Sequence, residues 1–157
     1  MRIRYTNMVT EEAKHVMTEY THTVVHEAGH VVAVEMYAPG AHPDVQIYGA
    51  RRGRTEYDTQ EDPEVRAKIA MAGIVATKLI LQQPRVITQE FMVELGAGED
   101  LGVVQEFLAD HYYTFEEFAS EVEIEVITQL DRVEAVVAAI RKHKGKLTIA
   151  QVEAVLG

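Results

Sequence analysis

The chain of 157 residues contains no cysteine. Disulfides and thiolate metal sites are therefore excluded, and any metal must be held by histidine and carboxylate. It is poor in basic residues: 15 Lys and Arg against 25 Asp and Glu give a formal charge of −10. That balance disfavours nucleic acid as a partner and fits a cytoplasmic protein. No stretch approaches the run of about 18 apolar residues that a membrane span needs. Met1-Arg2-Ile3-Arg4-Tyr5-Thr6-Asn7 lacks an apolar core, so no signal peptide is expected. The phosphate-binding pattern G-x-x-x-x-G-K-[ST] is missing, hence no ATPase module is expected. Repeats and low-complexity linkers are also absent. Hydrophobic residues make up 47%, ordinary for a folded domain. The length suits a single domain, residues 1–157.

What is present centres on His26-Glu27-Ala28-Gly29-His30. This matches H-E-x-x-H, in which two histidines bind zinc and the glutamate acts as general base. On a helix, positions i and i+4 share a face one turn apart. Both imidazoles can then reach one ion at roughly 2.0–2.1 Å. Glu27 is rotated off that line, free to take a proton from a water whose pKa the metal lowers toward about 7. His and Glu inside an apolar helix are costly unless paired or metal-bound. His22 and His15 precede the motif at helical spacing; they read as solvated or hydrogen-bonded side chains, not as an extension of a metal cluster.

The surrounding residues predict one helix from about Thr10 to Tyr37, ended by Ala38-Pro39-Gly40. Its β-branched run of valines has low intrinsic helix propensity, which implies a buried helix. Gly29 at mid-helix implies close packing or room for a substrate. Val45 to Tyr48 and Arg54 to Tyr57 read as two short strands around a turn at Gly49 to Gly53. Asp62-Pro63 opens a helix to about Gln82. Residues 85 to 95 fit a helix or a strand equally. Another helix should run from Glu99-Asp100 to about Ala109. Thr114-Phe115-Glu116-Glu117 is a capping box that predicts one long helix to about His143, and Thr148-Ile149-Ala150-Gln151 opens a last short one. The total is mainly α with a small β hairpin.

A catalytic zinc usually takes a third protein ligand and keeps an open position. The metzincin pattern H-E-x-x-H-x-x-G-x-x-H would need glycine at Ala33 and the third histidine at Met36, so that class is excluded. Glu56, Glu61 and Glu64 are possible in spacing as a later glutamate ligand, but each sits in a polar turn or at a helix start.

Beyond these local readings, the chain resembles the peptidase domain of the FtsH family, the zinc-dependent proteolytic part of ATP-dependent proteases. His26-Glu27-Ala28-Gly29-His30-Val31-Val32-Ala33 looks like that family's zinc helix. Val45 to Tyr57 sits where the family has a strand and an edge strand. Ala72-Gly73 sits at its paired glycines. Gly96-Ala97-Gly98-Glu99-Asp100-Leu101 is similar to its G-A-x-x-D-L motif, whose aspartate is the third ligand. The resemblance runs from about Glu11 to Leu156. It implies a zincin-like, mainly helical metallopeptidase domain in which His26, His30 and Asp100 hold Zn2+ and Glu27 is catalytic. Substrates would be peptides or unfolded proteins, with a homo-oligomer or a separate ATPase as partners. The sequence departs where the family has an arginine and two glutamates after the paired glycines: here stand Ile74, Thr77 and Lys78. The carboxylates that would support the histidines are missing. The expectation is thus a zinc endopeptidase working without ATP, against a non-catalytic, metal-stabilised peptide-binding relative. A repressor-cleaving protease with the same H-E-A-G-H helix would not account for G-A-x-x-D-L.

Overall fold

The computed structural model describes the backbone of residues 11–157 and the side chains from Thr18 onward. Thr10 and the side chain of His15 lie outside the described residues. The chain is mainly helical with one small sheet, in the order α1 (Glu11–Tyr37), β1 (Asp44–Gly49), β2 (Arg52–Glu56), α2 (Pro63–Ile80), α3 (Gln89–Glu94), α4 (Gly98–Ala109), α5 (Phe115–Ile127), α6 (Leu130–Lys142), β3 (Lys146–Leu147) and α7 (Ile149–Leu156). The expectation of a mainly α protein with a small β element holds. No described helix is long and apolar enough to cross a membrane.

The helix α1 runs through the middle, and burial holds it together where propensity would not. Val24, Val25, Ala28, Val31 and Val32 are at most 1% exposed. They form one core with Val133, Val136 and Ile140 of α6, Val45, Leu147 and Val152. Further along, Ala33 and Val34 join a second core made with α2, Phe91 and Met92 of α3, Leu101 and Val104 of α4, and Phe118, Val122 and Val126 of α5. The remaining side of α1 carries the histidines.

The Asp62 side chain caps α2, accepting from the Glu64 amide at 2.9 Å, with Pro63 in the first turn. The undecided stretch 85 to 95 contains α3. Its cap is Thr88, whose hydroxyl accepts from the Phe91 amide at 3.0 Å. Gly96 then adopts φ +80 and turns the chain into α4.

The single long helix expected from Thr114 to His143 is instead two, α5 and α6, parted at Thr128-Gln129. No glycine or proline marks the break. The residues before it pack on α2 and those after it on α1, so each half belongs to a different core. Lys146–Leu147, too short to show a period, adds a third strand. The antiparallel sheet has the order β2-β1-β3, leaving β2 at an edge. Its hairpin turn is pinned to α1, where the Thr23 hydroxyl donates to the Ala50 carbonyl at 2.7 Å and Arg51 pairs with Glu19.

Candidate metal centre

The helices α1 and α2 cross at two glycines. A β-carbon at Gly29 would lie 2.6 Å from Ala76 Cβ and 2.8 Å from the Ala72 carbonyl oxygen. One at Gly73 would lie 2.7 Å from His30 Nε2 and 2.9 Å from His26 Cε1. Real side chains do not approach so closely, so the absence of both β-carbons is what lets the two imidazoles, set edge to face at 88°, come up against the α2 backbone. Gly29 therefore serves packing between helices.

Asp100 completes the group from the first turn of α4, where the positive end of the helix favours a carboxylate. His26 Nε2 lies 2.8 Å from Asp100 Oδ2, His30 Nε2 lies 3.1 Å from the same oxygen, and the two nitrogens are 3.0 Å apart. Three donor atoms thus converge on one point and could hold a metal ion. Ligands at 2.0–2.1 Å around a tetrahedral ion stand about 3.3 Å from one another, so the triangle is close to the size required. Glu56, Glu61 and Glu64 stand outside it; Glu56 pairs with Arg54 at 2.7 Å, and Glu64 lies 3.7 Å from Lys68.

The hydrogen bonding also calls for a cation. His30 Nδ1 lies 2.8 Å from the Ile69 carbonyl oxygen. A carbonyl only accepts, so Nδ1 carries the hydrogen and Nε2 of the neutral ring presents a lone pair. That lone pair faces carboxylate lone pairs on Asp100. A proton or a metal ion must lie between them. Burial works against charge on His30, but Asp100 and then Glu27 outweigh it and raise its pKa to about 9. Burial likewise opposes ionisation of Asp100, and the two imidazoles overcome this, holding its carboxyl below the ordinary range.

The supporting interactions differ from those implied by the resemblance. Ile74 is buried, Thr77 turns its hydroxyl back to the Gly73 carbonyl at 2.9 Å, and Lys78 reaches Glu123 at 3.0 Å. No carboxylate from α2 orients the histidines. The backbone carbonyl of Ile69 does this for His30, a role that no residue identity could announce.

Glu27 is 6% exposed and is held from the other side. The Thr55 hydroxyl donates to its Oε1 at 2.8 Å. Beside Thr55, a β-carbon at Gly53 would meet Glu27 Cγ at 2.7 Å, so β2 lies directly on the glutamate. Thr55 escaped the sequence reading because it belongs to no motif and is 28 residues away. All four site residues open onto one cleft of about 1380 Å³, walled by α1, β2, α2 and the start of α4. His22 also lines it but does not join the group; burial lowers its pKa, with Glu19 opposing.

Comparison with protein-family models, curated proteins and solved structures returned no match. The functional reading therefore stands on the chemistry of this cleft.

Proposed function

We propose that the chain is a zinc-dependent endopeptidase of the cytoplasm that hydrolyses peptide bonds in short or unfolded polypeptides without ATP. One observation carries the reading: His26, His30 and Asp100 converge while a buried glutamate, Glu27, is oriented beside them in the same cleft. A site that only bound metal for stability would need no base and would usually be closed by a fourth protein ligand. Two imidazoles and a carboxylate at tetrahedral spacing favour zinc over the oxygen-preferring cations.

Bound zinc would supply Lewis acidity, polarising the scissile carbonyl and lowering the pKa of water. The protein's side chains do the rest. Thr55 occupies Oε1 of Glu27, leaving Oε2 to take the proton from the attacking water and deliver it to the leaving amine. Ile69 holds the His30 ring in the tautomer that offers Nε2 to the metal. The cleft exceeds the roughly 300–1,000 Å³ typical of small-molecule pockets, which suits a polymer. The free edge of β2 beside Glu27 offers unpaired backbone groups to an extended peptide, the usual mode of strand addition. A bound peptide should form a ladder with residues 52–57, not with α1.

The test is cleavage of an unstructured protein by zinc-loaded material, without nucleotide. Cleavage should stop on chelation and return with zinc. Peptide binding that persists with no cleavage would favour the metal-stabilised binding relative instead.

A further inference from the structure

Burial alternates along β2 and into the loop that follows. Gly53, Thr55 and Tyr57 are half-buried between exposed Arg52, Arg54, Glu56 and Asp58. Side chains of a strand alternate faces, so these three form one row on the face turned to α1. Gly53 and Thr55 already have roles against Glu27. Tyr57 is the next member, one two-residue step of about 6.6 Å beyond Thr55. It packs against the core at its base and lines the cleft beside His30 and Asp100.

Its hydroxyl makes no hydrogen bond among the described residues. The side chain lines the cleft, and its phenol is close enough to Asp100 for that carboxylate to act on it. Burial first, and then the Asp100 carboxylate, hold the phenol above its usual pKa, and it remains an O–H donor at neutral pH. Arg66, on the first turn of α2, borders the same space. Its Nη1 donates to the Gln60 and Glu61 carbonyls at 2.6 and 3.0 Å, which fixes the guanidinium in place. It pairs with no carboxylate among the described residues and contributes fixed positive charge near the phenol.

We propose that the Tyr57 phenol donates a hydrogen bond to the oxygen of the scissile carbonyl as negative charge gathers there, while Glu27 handles the proton of the attacking water. The inference rests on the peptidase reading and adds to it a residue that acts on the transition state. No covalent bond to Tyr57 forms or breaks. A donor aimed at charge that appears only during reaction raises turnover and leaves binding of the unreacted substrate alone.

The test compares wild type with Tyr57→Phe, both zinc-loaded, using two uncleavable peptides of one sequence. One carries a phosphonamidate at the scissile position, with tetrahedral charged oxygens. The other carries a methylene-amine there and offers no oxygen. Tyr57→Phe should bind the phosphonamidate about 10²-fold more weakly, the scale of one lost oxyanion donor, and the methylene-amine peptide equally well. On a cleavable peptide kcat should fall by the same factor with KM unchanged. Unaltered phosphonamidate affinity, or an equal loss for both peptides, overturns the role of Tyr57 alone. Wild type that binds neither peptide and cleaves nothing overturns the peptidase reading and the inference with it.

Discussion

The two long sides of α1 are built on different principles. Toward α6 it presents Val24, Val25, Ala28, Val31 and Val32 to other aliphatic side chains. Toward α2, Gly29 meets the Ala76 methyl and the Ala72 and Gly73 backbone, and Gly73 meets the two imidazoles themselves. The first contact is conventional packing, adjustable by a methyl group here or there. The second fixes the distance between two backbones and so fixes two imidazole rings. Stability and site geometry are therefore supported by separate surfaces of the same helix, and substitutions should tell them apart.

Gly73→Ala should do the most damage. Its β-carbon would displace both rings, abolishing zinc binding at neutral pH, while the overpacking costs about 1–3 kcal/mol of stability. Zinc titration calorimetry together with thermal unfolding checks both; wild-type zinc affinity in this variant would show that the glycine crossing does not set the site. Asp100→Ala comes next. It removes one of three donor atoms, so zinc affinity should fall by more than the roughly 10–100-fold typical of losing a supporting group, and hydrolysis should cease. Glu99→Ala, one residue away and exposed, should leave zinc affinity unchanged. The reverse result would mean that Asp100 only answers the helix end.

On the α6 side, Val136→Ala should lower stability by about 2 kcal/mol, two buried methyl groups' worth. Zinc affinity should not change, and denaturant unfolding beside zinc titration measures the contrast. A matching loss of zinc binding would show the two surfaces to be coupled.

The smallest effect is expected at a surface pair remote from both. His42 Nδ1 lies 2.9 Å from Asp58 Oδ2. The hydrogen bond to Asp58, and then its charge, raise the His42 pKa above the ordinary value. The folded protein thus holds this proton more tightly than the unfolded chain. Any stabilisation is fully present below the ordinary histidine value and is lost as pH rises through the raised one. Nuclear magnetic resonance titration of the imidazole should show the elevation, and Asp58→Asn should take away most of it, leaving the smaller effects of Glu153 and Glu35. A His42 that titrates identically in both proteins would mean the pair does not form in solution.

The sequence revealed what local geometry dictates. His26 and His30 are one helical turn apart, so their convergence needs only a helix, and the caps at Asp62, Thr114 and Thr148 announced three helix starts. Asp100 was found only because its glycine-bounded motif resembled a family pattern; nothing local says that α4 begins beside α1. Thr55 and Tyr57 went unassigned because their roles arise where β2 lies across α1. Contacts so distant in sequence leave no periodicity. The supporting carbonyl of Ile69 belongs to the backbone and has no residue signature at all. The split between α5 and α6 was hidden for a related reason: the apolar pattern continues through Thr128-Gln129, and only the existence of two cores turns the chain.

The central claim is that Glu27 is the base beside a metal held by His26, His30 and Asp100. Glu27→Gln tests it most directly, because the amide keeps shape and cannot accept the proton. Zinc content, measured by metal analysis, should remain about one ion per chain, with unfolding unchanged. Hydrolysis of an unstructured protein should fall by about 10²–10⁴-fold, the usual contribution of a general base. A variant that keeps its zinc and cleaves as fast as wild type would contradict the account.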